Sequence, residues 1–168
     1  MLAHAMTALP DHPSEATRPR VTLVMTVRER HRLTMRAIEN VLAHTPIPHR
    51  FIFSHGELPG WLDRQVGELA EAGRLERRFF PGLTWPNHLR RAVLPEIETD
   101  YVAFIDNDIL VSPGWIERLI ECADETGAGV VGPTYLWGDG EAPPRVHMAG
   151  GILEGRVSPA TAEAAAGR

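Results

Sequence analysis

At 168 residues, with 43% hydrophobic and 23% charged side chains, the chain suits one globular domain with a real core. A formal net charge of −5 argues against the basic surface of a nucleic-acid binder, and no apolar run reaches the roughly 18 residues of a membrane span. All 17 basic residues are arginine, so a P-loop lysine and a pyridoxal Schiff base are both excluded.

The first residues, MLAHAMTALPDH, carry neither a basic n-region nor a sustained apolar h-region, so no signal peptide is expected. The single cysteine, Cys122, has no internal disulfide partner, which fits a reducing, cytoplasmic setting. Residues 1–19 mix Pro, His, Ser and Thr without periodicity and are expected to be a disordered lead-in. Residues 20–155 are expected to form the domain, and 156–168 a flexible tail.

From Val21 onward, short apolar runs alternate with helical stretches. VTLVMT (21–26) is β-branched and apolar, as a buried strand requires. Met35, Ile38, Val41 and Leu42 then share a helical face over 32–44, stopped by Pro46 and Pro48. RFIFS (50–54) reads as the second strand. Leu62, Val66, Leu69 and Ala70 mark a second amphipathic helix, closed by Gly73. RLERRFF (74–80) holds a third strand, and a short helix from Asn87 to Leu94 turns Leu89, Ala92 and Val93 inward.

YVAFI (101–105) is the clearest strand. Ser112 is the expected N-cap of the next helix, with Pro113 at its first position, and Gly127 ends it. GVVGP (129–133) is expected to be the next strand, with a further one near Val146 to Leu153. Strands alternating with helices imply βαβ units, hence an α/β fold with a mostly parallel sheet covered on both faces. Such sheets bind ligands outside the carboxyl ends of their strands.

At that edge the best strand runs into Asp106-Asn107-Asp108. Two carboxylates two residues apart on an extended backbone lie on one side, and the residue between points away. Hard oxygen ligands suit Mg²⁺ or Mn²⁺, and Mg²⁺ characteristically takes one or two carboxylates together with substrate phosphates. Arg28, Arg30 and Arg32 cluster after the first strand, where forked guanidinium groups suit an anionic diphosphate. The eight histidines show no zinc spacing such as H-E-x-x-H. Trp85, Trp115 and Trp137 are candidates for stacking on a sugar, with Trp115 at a helix start better suited to anchoring the core.

The run ETDYVAFIDNDILVSPGWIERLI (98–120) resembles the metal-binding segment of family 2 glycosyltransferases, which have the GT-A fold, a Rossmann-like α/β sheet. VTLVMTVRERHRLTMRAIENVLAHT resembles their first strand and helix, and Asn87 with HLRRAV their asparagine-started helix. VVGPTYLWGDG and HMAGGIL resemble the next strand and the acceptor-side turn. The resemblance covers about Val21 to Leu153. It implies a nucleoside-diphosphate sugar donor, UDP- or GDP-linked, an acceptor whose nature is open, and Mn²⁺ or Mg²⁺ as cofactor. Asp108 would be the principal metal ligand, and Asp106 would contact metal or ribose. Thr26, Arg28 and Arg30 would lie beside base and diphosphate, and Asn87 and Asn107 complete the expected donor set.

Two departures stand out. Where the family's second strand usually ends in a base-reading aspartate, this chain has Ser54-His55-Gly56, which makes His55 the candidate reader. The catalytic base is not identified: the family's base usually lies in an acidic segment beyond the acceptor-side strand, which this chain does not match before Arg168, and Asp139, Glu141 and Glu154 are loop acids of the kind that is usually solvated. The alternative is a sugar-nucleotide-binding module, or truncated fragment, without transfer activity. A nucleotidyltransferase is disfavoured, because TVRERHR has neither a Gly-rich loop nor a lysine.

Overall fold

A computed structural model describes residues 18–82, 85–138 and 145–149. The expected lead-in up to residue 17, the 156–168 tail and the acids Asp139, Glu141 and Glu154 lie outside the described residues. The chain divides into two compact units that meet between Ile120 and Glu121.

In the first unit, β1 (Val21–Thr26), β2 (His49–His55), β3 (Glu76–Phe79) and β4 (Tyr101–Asp106) form one sheet in the order β3-β2-β1-β4. Each neighbouring pair is parallel. This is the α/β class with a parallel sheet that the alternating pattern predicts. Helices α1 (His31–Ala43), α2 (Gly60–Glu71) and α3 (Pro86–Val93) connect the strands, and α4 (Trp115–Thr126) follows β4.

The strand period of two sorts β1 between two apolar layers. Val21, Leu23 and Met25 join Phe51 and Phe53 of β2 in a layer with Ala37, Ile38 and Val41 of α1 and Leu62 and Val66 of α2. Ile116 and Ile120 of α4 extend the same layer. Val24 and Ile52 face the other way, against Val93 of α3. Helices therefore cover both faces, and Val21, Leu23, Val24 and Met25 have no exposed surface. Burial of such side chains contributes roughly 1.5–3 kcal/mol each relative to exposure.

Local signals account for most of the element ends. Helix α2 stops at Gly73, whose φ of 68° is accessible to glycine at little cost, and the Arg74 amide bonds back to the Leu69 carbonyl at 2.9 Å. Helix α4 begins later than Ser112 and Pro113 suggest. Gly114 has φ 72°, outside the right-handed helical region, so helical geometry starts at Trp115. Trp115 packs on the core, and its indole Nε1 donates to buried Thr45 Oγ1 at 3.1 Å.

The second unit contains β5 (Tyr135–Trp137) and β6 (Arg145–Met148), paired antiparallel, with Trp137 and His147 in edge-to-face contact at 5.2 Å. GVVGP is not a strand. Val130 is 92% exposed and residues 129–133 have no ladder partner, in keeping with two glycines and a proline in five positions. The last strand expected near Val146 is β6, while 150–153 lie outside the described residues. Among the described residues no helix is long and apolar enough to cross a membrane.

Candidate functional site

The strand order locates the site before any motif does. The chain winds outward from β1 to β2 to β3, then returns to place β4 on the other side of β1. Parallel sheets bind ligands at such a reversal, outside the carboxyl ends of the two strands involved. Here those ends are Thr26 and Asp106, which are register partners across the β1–β4 ladder. Ser54, at the matching position on β2, completes the row.

Thr26 shares a face with Thr22, and the contrast between them is informative. Thr22 Oγ1 sits 2.8 Å from Thr99 Oγ1, so the threonine at the amino end of β1 is satisfied. Thr26 is 1% exposed, and its hydroxyl has no hydrogen-bond partner. A buried hydroxyl without a partner is costly, so this one marks a place where another polar group belongs.

Beside it, Asp106 is held by α3. Arg90 Nη2 donates to Asp106 Oδ1 at 2.6 Å and Nη1 to Asn87 Oδ1 at 3.2 Å. Arg90 Nε is buried and unpartnered. Asp108 is held from another direction. Arg30, immediately before α1, donates to Asp108 Oδ2 at 2.7 Å. Arg30 is the one non-glycine residue with positive φ among those described, at φ 54° and ψ 36°.

Between the two carboxylates, Asn107, the first residue of the turn after β4, points away from solvent. It is 6% exposed, and its amide donates to the Glu29 carbonyl at 2.9 Å and to Thr34 Oγ1 at 2.8 Å. The Asn107 side chain thus clamps the acidic turn to the start of α1 and faces the protein interior. Asn40 Oδ1 adds a second clamp by accepting from the Val111 amide at 2.6 Å. Asn40 carried no sequence signal, since it sits at an ordinary polar helix position.

His55 is also turned inward. It is 1% exposed between Phe53 and Phe79, with ring centroids 5.5 and 5.6 Å away. Its Nδ1–H donates to the Gly56 carbonyl at 2.6 Å, and Nε2 accepts from Arg77 at 3.3 Å. Arg77 in turn pairs with Asp63. Burial pushes the imidazole pKa down, with the nearby Arg77 charge acting in the same direction. Both ring nitrogens are engaged within the protein, leaving none free for a nucleobase.

Arg28 lies over the Trp85 ring at 4.3 Å, a cation–π stack at the entrance to α3. A cleft of about 440 Å³ opens beside α1, lined by Arg30, Arg32, Pro59 and Trp61 among others. A larger one of about 700 Å³ lies at the amino ends of the strands, far along the sheet from Asp106. Its Arg50 donates through Nε and Nη2 to the two carboxylate oxygens of Glu76, at 2.7 and 2.8 Å. The charged groups of that cleft are thus paired with each other, and it lies at the opposite end of the sheet from the carboxyl-terminal edge.

No three His, Cys, Asp or Glu side chains converge among the described residues, so a cation would depend on Asp106 and Asp108 together with ligand oxygens. The donor set fits that use. Among the described residues each carboxylate has one oxygen bound by a guanidinium and one without a partner, and hard carboxylate oxygens suit Mg²⁺ or Mn²⁺.

Comparison with known families finds that residues 88–158 match the model described as glycosyl transferase family 2. No curated protein matches the chain. The match takes in Arg90, β4, the whole acidic triplet and α4, whereas Thr26, Arg28, Arg30, His55 and Asn87 precede it. The likeness to family 2 glycosyl transferases thus rests on residues 88–158, which carry the acidic turn at the reversal of the sheet.

Proposed function

We propose that the chain binds the nucleoside-diphosphate portion of a sugar donor at the carboxyl ends of β1 and β4, and transfers the sugar to an acceptor. The observation that supports this most directly is the pair of carboxylates at the strand reversal, inside the family match. Asp108 and Asp106 would hold Mn²⁺ or Mg²⁺, which when bound supplies positive charge for the departing diphosphate.

The chain's own residues have separable tasks. Asn107 and Asn40 fix the turn that carries the carboxylates. Thr26 Oγ1 offers a buried hydroxyl to a donor oxygen beside Asp106. Arg28 and Arg30 supply positive charge on the β1–α1 loop, with Arg28 steadied on Trp85. Asn87 keeps Arg90 directed at the same point. His55 supports the end of β2 from within, so base selection falls to other groups than its ring.

Calorimetric titration with UDP, GDP and their sugars, with and without Mn²⁺, tests the reading. Mn²⁺-dependent binding that Asp108→Asn abolishes is expected. Binding that is independent of metal and survives Asp108→Asn would overturn it. A donor-binding module without transfer is the second reading, favoured by the internal engagement of His55 at the end of β2. Turnover of a radiolabelled donor separates the two, because a mere binder releases no nucleoside diphosphate.

A further inference from the structure

Two kinds of arginine–carboxylate pair occur in this protein. Arg50 and Glu76 meet fork to fork, with two parallel contacts, and Arg78 and Glu96 extend them into a network. Pairs of this kind are preorganised and hold elements together. The pairs at the acidic turn are single contacts, as is that of Arg77 with Asp63 on another edge of the fold. Arg90 touches Asp106 through one nitrogen and one oxygen, and Arg30 touches Asp108 in the same way. Each leaves the second carboxylate oxygen without a partner among the described residues.

Both of these arginines also carry an uncompensated cost. Arg90 Nε is buried with nothing to donate to, and Thr26 Oγ1, on the register partner of Asp106, is buried and equally unpartnered. Arg30 reaches Asp108 from a left-handed backbone conformation that side-chain-bearing residues avoid. Strain and orphaned donors that persist together in one corner of a fold point to a partner that arrives later.

We propose that Arg90 and Arg30 are resident counter-cations of Asp106 and Asp108, which a divalent cation displaces and a diphosphate then receives. This rests on the reading of the two aspartates as the cation site. Before a cation binds, each guanidinium neutralises the carboxylate that it touches. When the carboxylates turn to a cation, the two guanidinium groups are released beside it. Arg90 Nε and Thr26 Oγ1 then have a donor oxygen to meet. Cation and diphosphate thus bind as a coupled pair, and metal alone binds against competition. Arg30 and Arg90 are positioning residues in this scheme.

The test is Mn²⁺ binding by the full chain without any nucleotide, read from the electron paramagnetic resonance signal of free Mn²⁺. Arg30→Gln and Arg90→Gln are each expected to tighten Mn²⁺ alone by about fivefold, the scale of an exposed ion pair removed from competition. The same variants should weaken UDP binding in the presence of Mn²⁺. Arg64→Gln, on α2, changes net charge equally and should leave Mn²⁺ affinity within about twofold. Arg90→Lys keeps a cation beside Asp106 and should also stay within about twofold. Should Arg90→Gln not fold, Arg30→Gln, on an exposed residue, carries the same measurement. Mn²⁺ affinity that is unchanged or weaker in the Gln variants overturns the proposal. If Asp108→Asn abolishes Mn²⁺ binding in that case, the cation site stands and only the counter-cation role falls. If Asp108→Asn leaves Mn²⁺ binding intact, the cation site itself is refuted.

Discussion

Replacing Asn107 by alanine removes the amide that ties the acidic turn to the start of α1. Two hydrogen bonds disappear, a partly buried one to the Glu29 carbonyl at 2.9 Å and a buried one to Thr34 Oγ1 at 2.8 Å. Each such bond contributes about 1 kcal/mol net, and a stranded buried partner adds a desolvation cost of its own. Thr34 recovers part of that by rotating its hydroxyl toward a carbonyl of its own helix, whereas the Glu29 carbonyl has no such freedom. The expected loss is about 2–3 kcal/mol, which for a chain of this size lowers Tm by about 4–12 °C. Far-UV circular dichroism melts, with urea unfolding as a cross-check at unchanged m-value, measure it. Asn107→Asp should lose at least as much at neutral pH, since it sets a carboxylate against the Glu29 carbonyl. A loss below about 0.5 kcal/mol would show that the clamp does not hold the turn, and the account of how Asp106 and Asp108 are positioned would fail with it.

Other outcomes follow from single residues. His55 is buried neutral with its pKa lowered, chiefly by burial, from an ordinary value near 6.5. The unfolded chain therefore binds the extra proton first as pH falls, so stability is full above the unfolded pKa and declines below it. Tm measured between pH 7.5 and pH 5, conditions chosen to bracket the unfolded value of about 6.5, should fall less steeply for His55→Gln than for the parent. Equal slopes would refute this. At Arg30, glycine relieves a left-handed conformation worth about 1–2 kcal/mol while losing an exposed ion pair worth at most about 1 kcal/mol. Arg30→Gly should be neutral or stabilising in a thermal melt, and Arg30→Val destabilising; the reverse order would contradict the strain.

The sheet was legible because its strands are written in unambiguous residues. VTLVMT and YVAFI are dense in β-branched and aromatic side chains, and both lie where expected, as do α1, α2 and α3. The place of the acidic turn was legible too, since it needs only a strand end in a parallel sheet. Ion pairing was not. Arg90 finds Asp106 across 16 positions and Arg30 finds Asp108 across 78, and local periodicity carries no information about such distances. The start of α4 was misplaced because Ser-Pro is a good helix opener in isolation, while the next residue, Gly114, takes a left-handed turn. His55 was expected to face a ligand. Its burial follows from β2 running through it, so the ring falls between two phenylalanines of neighbouring positions. Asn107 was expected in the donor-binding set, but its amide is spent on Glu29 and Thr34 inside the protein, a long-range clamp that local pattern does not reveal.

The rung that joins Thr26 to Asp106 has a consequence for biosynthesis. These partners lie about 80 residues apart along the chain, so at about 5–20 residues per second β1 waits about 4–16 s for β4 to emerge. Strand β2 arrives much sooner and covers one edge, while the other edge of the most apolar strand stays open to passing nascent chains. Strand β4 is the last of the four to emerge, and the step that seals the exposed edge is the same step that brings Asp106 into place.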